Sequence, residues 1–302
     1  MQKSVKGVPQ GGVLSPLLSN IVLDLLDSKV ELLIQEFDKG KRKRQNPEYT
    51  KLTRTKGGDV ARRLSIPMFL HKDENFKRLR YIRYADDFLI GIHGSKDDCI
   101  AIRSKLAKFL VETLNFKLNL NKTKITHAQK ESAKFLGHRI HITPIGKRPV
   151  RKRTRNGRTY LTRVMTRPQI DAPIKEVVEA LQKRGFARKG GKPTRCGRMV
   201  YLPEYDIVSQ YKQIERGILN YYENASNRTK FNARVNYILK YSCALTLCSK
   251  LRLRTLKKTY RKFGKNLKVK KYGDSNVYIS YPNIKASKGK RNSFDPIHVK
   301  DP

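Results

Sequence analysis

Two adjacent carboxylates, Asp86 and Asp87, are the residues of this chain whose placement most calls for chemistry. They follow Tyr84-Ala85 and precede Phe88-Leu89-Ile90, so they lie in the middle of an apolar stretch. Side by side, two negative charges repel, and apolar packing does nothing to relieve them. A divalent cation would, since Mg²⁺ takes a few carboxylates together with substrate phosphates. A pair of such metals about 4 Å apart activates an attacking 3′-hydroxyl and steadies a leaving pyrophosphate. Alone, a Tyr-Ala-Asp-Asp stretch is better read as an ordinary Asp-rich turn. It is accompanied here by Gly7-Val8-Pro9-Gln10-Gly11-Gly12, which runs straight into a Leu-rich segment. Glycines there let the backbone approach a nucleotide or template base closely, and Gln10 offers both a donor and an acceptor. By itself that turn is a weak sign, but the two together, in this order, make a strong one.

The elements that must position these groups follow from periodicity. Ser15-Pro16 suits a helix start, with Ser as cap and Pro in the first turn. Leu17, Leu18, Ile21, Val22, Leu25 and Leu26 then recur at helical spacing, giving an amphipathic helix to about Phe37. The basic stretch from Gly40 to Leu64 reads as an irregular insertion. Arg80–His93, with β-formers on both sides of Ala-Asp-Asp, reads as a β-hairpin with acids at its tip. Ser95 and Asp98 form a capping box for a helix through about Leu114, whose apolar face carries Ile100, Leu106, Leu110 and Leu114. A strand around Lys134–Ile142 closes this α+β unit. Ala172–Arg184, Tyr211–Asn224, Phe231–Lys250 and Leu253–Phe263 look helical, so the second half is mostly α.

Composition narrows the partners. The 302 residues carry 67 Lys plus Arg against 25 Asp plus Glu, a formal charge of +42, and such an excess points to a polyanionic partner. It comes in blocks: residues 39–83, residues 141–170 with 9 basic and no acidic side chains, and residues 211–272 with 17 basic against 2 acidic. Like-charge blocks are usually solvated loops or tails, which fits Lys39–Arg44 and Arg151–Arg158. It fits the third block less well, because an apolar pattern is interleaved with the charges. No apolar run approaches the roughly 20 residues of a membrane span, and the first residues lack the apolar core of a signal peptide. The four cysteines, at 99, 196, 243 and 248, form no CxxC pair and no zinc spacing, and read as plain thiols.

These residues also carry a resemblance. VPQGGVLSPLLSNIVLDLLD, RYADDFLIGI, Leu120-Asn121-Lys122-Thr123-Lys124 and Phe135-Leu136-Gly137 are similar to the palm motifs of group II intron reverse transcriptases. RGILNYYENASN at 216–227 and the stretch 237–267 resemble domain X, the thumb or maturase region of the same family. The resemblance covers about residues 5 to 290, with motifs in order. It implies an α+β fold: an incomplete right-hand polymerase palm with a YADD β-hairpin, then a mostly α-helical thumb/maturase domain. The expected boundaries are a partial palm over 1–150, a basic linker over 151–170, domain X over 171–272 and a loose tail over 273–302. By resemblance Asp86 and Asp87 hold catalytic metal, Tyr84 supports the primer end and Lys122 approaches the triphosphate. Pro9, Gln10 and Gly11 lie along the template–nucleotide side, and Phe135–Gly137 borders the primer. The family's fingers and first palm motif, with a further metal-binding Asp, belong upstream of the Pro-Gln-Gly turn and are missing here. Mg²⁺ is therefore expected only where polymerase activity is retained, and a separate N-terminal reverse transcriptase segment is an expected partner.

RNA binding rests on the third block. With Ile238, Leu239, Leu245, Leu247, Leu251, Leu256 and Phe263 facing inward, Lys240, Lys250, Arg252, Arg254, Lys257, Lys258, Arg261 and Lys262 are left for phosphates. Tyr221 and Tyr222 are candidates for base stacking or for core packing. The expected activity is that of a maturase binding a structured group II intron RNA and assisting its splicing. The alternatives are a reverse transcriptase complemented by a separate fingers segment, and an inactive RNA-binding gene fragment. No membrane and no small-molecule cofactor is expected. Family habit places the protein in a mitochondrion, with a chloroplast or a bacterial cytoplasm as alternatives.

Overall fold

A computed structural model describes residues 12–58, 60, 66–70, 73–119, 122–143, 150–155, 158–163, 168–272 and 274–282. The chain divides into two compact units between Gln169 and Ile170.

In the first unit, α1 (Ser15–Phe37) leads to α2 (Pro47–Lys56), then to β1 (Arg78–Tyr84), β2 (Asp87–His93) and α3 (Lys96–Leu114). Two short strands follow, β3 (Ala133–Phe135) and β4 (His138–His141), and then β5 (Val150–Arg155) and β6 (Arg158–Arg163). Helix α1 has the expected span, but Ser15 is its first helical residue and makes no side-chain cap. Of the expected apolar row only Leu26 is buried, and the buried stripe runs on towards the C-terminal end of the helix. Leu26, Val30 and Leu33 enter the core beside Leu79 of β1 and Ile102, Leu106 and Leu110 of α3. Leu17, Leu18, Ile21, Val22 and Leu25 stay exposed. Likewise Ile100 faces out and Ile102 takes its place in the core. The capping box forms as expected: the Ser95 hydroxyl accepts from Asp98 N at 3.1 Å, and Asp98 Oδ2 accepts from Ser95 N at 2.8 Å.

Three segments depart from their sequence reading. Helix α2 stands inside the stretch read as irregular, because Asn46 caps it, Pro47 begins it, Glu48 lies in its first turn and Arg54 and Lys56 in its last. Lys134–Ile142 is a tight hairpin rather than one strand, with Phe135 paired to His138. Within the expected linker, Val150–Arg155 and Arg158–Arg163 pair as an antiparallel hairpin.

The second unit is built on α6. Helix α4 (Ile174–Lys183) precedes a two-residue ladder, β7 (Ala187–Arg188) with β8 (Lys192–Pro193), then α5 (Glu204–Tyr221), α6 (Arg228–Lys250) and α7 (Leu256–Phe263). Helix α5 starts seven residues before the periodic pattern suggested, since Pro203 and the acidic first turn at Glu204 and Asp206 open it. Helix α6 buries side chains on most of its girth, among them Phe231, Val235, Ile238, Leu239, Cys243 and Leu247. Each such Leu or Ile contributes roughly 1.5–3 kcal/mol of apolar transfer. Its polar members are satisfied: Tyr211 OH lies 2.8 Å from Ser242 Oγ and 2.9 Å from Thr246 Oγ1. Thr246 Oγ1 also accepts from Cys196 N, and Ser242 Oγ donates to Thr194 O. The expected loose tail from 273 is not loose at its start. Val269–Lys271 (β9) pairs with Asp274–Ile279 (β10), and Ile279 and Tyr281 join the core. No helix among the described residues is long and apolar enough to cross a membrane.

Candidate nucleic-acid interface

The Asp pair sits where the hairpin reading placed it. Tyr84 pairs with Asp87, leaving Ala85 and Asp86 as a two-residue connection between β1 and β2. Ala85 takes φ +52°, the left-handed conformation that so short a connection demands. Tyr84, Asp86 and Asp87 are exposed. What holds the turn was not legible beforehand. Arg83 Nε donates to Asp27 Oδ1 at 2.8 Å, while Arg83 Nη1 donates to Ala85 O at 3.0 Å and to Asn20 Oδ1 at 3.1 Å. Tyr81 OH donates to the same Asp27 oxygen at 2.8 Å. One guanidinium thus ties the turn carbonyl to two positions on α1. Hydrogen bonds from Arg83 hold the Asp27 carboxyl below its usual range, and burial beside that carboxylate pushes the Tyr81 phenol up. Asp27 is therefore committed to positioning.

Two hard carboxylates match in kind what Mg²⁺ takes, but among the described residues no group of three or more His, Cys, Asp or Glu comes together. In number the donor set falls short of a complete site. Lys122, also expected near the triphosphate, is exposed on a separate turn, where its N–H donates to Asn119 O at 3.1 Å. At the β3–β4 turn Leu136 and Gly137 are both left-handed, which explains the glycine there by turn chemistry. Pro9, Gln10 and Gly11 lie outside the described residues.

Cations are handled differently in the second unit. In the first, Arg44 pairs with Asp73, Lys77 with Asp98, Arg78 and Arg80 with Asp38, and Arg83 with Asp27. Of the eight cations expected to meet phosphate, Arg252, Arg254, Lys257, Lys258, Arg261 and Lys262 are exposed, and among the described residues none of these six joins an ion pair. They lie together on the Leu251–Thr255 loop and α7. Thr255 caps that helix by accepting from Lys258 N at 3.3 Å. Lys240 and Lys250 are half-buried, because α6 packs on so much of its circumference; Lys250 Nζ reaches Val200 O at 3.5 Å.

The conspicuous 216–227 motif has a structural use. Asn227 exchanges two hydrogen bonds of 2.9 Å with Ala172, and Ser226 N donates to Ile170 O at 2.7 Å, closing the start of α6 onto the segment before α4. Tyr222 packs edge-on against Phe231, while Tyr221 stays exposed. Sequence reasoning passed over Tyr237 and Tyr241, whose spacing of four puts both rings on one face of α6.

Residues 2–140 match the reverse transcriptase (RNA-dependent DNA polymerase) family and residues 165–299 match the type II intron maturase family. The chain is 41% identical to the COX1/OXI3 intron 1 protein of Saccharomyces cerevisiae, over 98% of this chain and 36% of that protein. It is 35% identical to the group II intron-encoded protein LtrA of Lactococcus lactis, over 86% of this chain and 46% of that protein. Against nuclear intron maturase 1, mitochondrial, of Arabidopsis thaliana the identity is 26%, over 82% and 35% respectively. The chain thus spans between about a third and just under half the length of these relatives. With both families matched in succession, the chain belongs to the group II intron-encoded reverse transcriptase/maturase proteins.

Proposed function

We propose that the chain acts as a group II intron maturase, binding structured intron RNA and favouring its splicing-competent fold. The observation that carries this reading is the cluster of six exposed cations on the loop and helix over 251–263, inside the maturase-matching segment, none of which joins an ion pair among the described residues. Such cations bind phosphate through Coulomb attraction and counterion release, without reading bases. Assistance follows by mass action, because a folded intron that binds better than its misfolded forms is enriched. The bound fold is recognised largely by shape and by exposed loops. The Saccharomyces, Arabidopsis and Marchantia relatives, named for COX1 introns or as mitochondrial, support a mitochondrial setting, while the Lactococcus relative keeps a bacterial one as the alternative.

The test is a filter-binding titration on the host intron and on an unrelated structured RNA, paired with a splicing assay at low Mg²⁺. Tighter, salt-sensitive binding to the host intron and faster splicing are expected. Equal affinity for both RNAs, with no change in splicing, refutes the reading.

A second reading is favoured by the solvent-facing Asp pair. In it the first unit is part of a polymerase palm and the second its thumb, and the chain copies RNA into DNA once an upstream reverse transcriptase segment joins it. The exposed apolar row Leu17, Leu18, Ile21, Leu25 on α1 supports such a covering segment. Asp86 and Asp87 would hold Mg²⁺ there, with Tyr84, Lys122, Gln10 and Gly11 lining the primer and nucleotide. Primer extension by the chain with and without that segment decides, and a product insensitive to Asp86→Ala counts against it.

A further inference from the structure

A cavity of about 680 Å³ opens on the second unit, lined by Tyr237, Tyr241 and Tyr260 together with Lys240, Lys265 and Asn232. Its aromatic wall is continuous. The Tyr237 and Tyr241 rings stand 5.0 Å apart between centroids, and Tyr241 meets Tyr260 edge-on at 6.5 Å. Tyr237 and Tyr241 are each about two-fifths exposed (43% and 40%), too open for core rings and well placed to receive a flat partner. The wall is fixed from behind: Arg234 donates to Gly190 O at 2.7 Å and lies 5.8 Å from the Tyr237 ring, and Tyr260 is half-buried. A further group is left unsatisfied. Asn232 Oδ1 is buried without a hydrogen-bond partner among the described residues, an acceptor that an exocyclic amine or a ribose hydroxyl would satisfy. Neighbouring Asn236 is locked by donating to the buried Glu215 at 2.9 Å.

Aromatic faces flanked by lysines suit one chemical class well, an unpaired nucleotide whose base stacks and whose phosphates meet the ammonium groups. The volume is in the range of pockets that take ligands of nucleotide size. Paired RNA presents no free base face to such a wall. We propose that this cavity captures a single unstacked base of the bound RNA, stacked on the exposed face of the Tyr237–Tyr241 wall, with Lys240 and Lys265 on the adjoining phosphates. The proposal rests on the RNA-binding reading and adds to it a site that distinguishes looped from paired RNA.

The full chain is titrated by fluorescence anisotropy with a ten-nucleotide oligoadenylate. The same strand with three central abasic positions and a ten-base-pair RNA duplex serve as references. Replacing both rings (Tyr237→Leu with Tyr241→Leu) is expected to weaken the oligoadenylate by roughly tenfold or more and to leave the duplex within about twofold. Tyr237→Phe with Tyr241→Phe keeps the stacking faces and is expected to bind like the unaltered chain. Ultraviolet crosslinking of 5-iodouridine RNA to the unaltered chain is expected to label Tyr237 or Tyr241, a readout that stands even if the leucine variant folds poorly. Oligoadenylate binding untouched by the leucines, abasic strand bound as well as the intact one, or crosslinks confined to other residues overturns the proposal. Failure of the unaltered chain to bind the duplex and both strands overturns the RNA-binding reading itself.

Discussion

Arg252 and Arg254 allow phosphate binding to be separated from folding, because both hold left-handed backbone, with φ of +48° and +63°. An L-residue there costs about 1–2 kcal/mol that glycine does not pay, while glycine loses about 0.5–1 kcal/mol through its freer unfolded state. Arg252→Gly with Arg254→Gly should therefore leave stability unchanged or raise it by up to about 2–3 kcal/mol, since the two exposed side chains bury no core surface. RNA affinity should move the other way. Each phosphate contact releases roughly 0.7–0.9 of a counterion, so losing two should flatten the slope of log affinity against log salt by about 1.5. Near 0.15 M salt that corresponds to a drop of about 20-fold. Thermal denaturation gives the first quantity, and filter binding on the intron from 50 to 400 mM KCl gives the second. An unchanged salt slope, or a Tm lowered by several degrees, would refute the reasoning: the first by showing these arginines meet no phosphate, the second by showing they hold the fold.

Asp27→Asn should loosen the Asp86–Asp87 turn, since it removes the carboxylate that Arg83 and Tyr81 share; a loss of about 1.5–3 kcal/mol is expected by urea titration at pH 7. Because the folded carboxyl titrates below its ordinary value of 3.8, the stability it supplies is present above that value and disappears as pH falls through the depressed one, so variant and parent should converge in acid. Glu215→Gln should behave oppositely. Burial raises the Glu215 carboxyl above its ordinary 4.5, so its contribution is most favourable below 4.5 and is lost as pH rises through the raised value. The glutamine variant should be more stable than the parent at pH 7 and lose that advantage by pH 4, as read by chemical denaturation. Gly191→Ala should lower Tm by several degrees, at about 1–3 kcal/mol. Gly191 has φ +72°, and a Cβ would fall 2.5 Å from Arg234 Nη2 and 2.8 Å from Val178 Cγ1; an unshifted Tm would show that Arg234 gives way freely.

Legibility followed the strength of local chemistry. The Ser95–Asp98 capping box, the hairpin around Asp86 and the long α6 each carry their instructions in adjacent residues, and each appears within a few residues of its expected place. Helix α2 was invisible to an apolar search because caps and terminal charges make it a helix, with no buried stripe. Helix α1 was placed correctly, but of its expected apolar row only Leu26 is buried, since leucines occupy more than one of its faces and only packing with Leu79 and α3 selects Leu26, Val30 and Leu33. The strand at Asp274–Ile279 draws its stability from Ile279 and Tyr281 entering a distant core, which no window of ten residues contains. Arg83 and Asp27 lie 56 residues apart, so the tie that holds the acidic turn could be found only once the chain had folded.

The two units spend their acids differently, and that contrast bears on function more directly than total charge does. In the first, Asp27, Asp38, Asp73 and Asp98 each neutralise a nearby cation, and each carboxyl titrates below its ordinary value. Those pairs fasten α1 and the basic insertion to the hairpin. Residues 211–272 hold only two acids, and one of them, Glu215, is sealed in the core beside Asn236. Among the described residues, none of the six exposed cations of the 251–263 face joins an ion pair. Like charges held that close repel, and over a Debye length of about 8–10 Å salt screens them only in part. A folded unit that keeps such repulsion, and two strained arginine backbones beside it, is poorly explained by stability alone. It is well explained if the missing counterion is the phosphate backbone of a bound RNA.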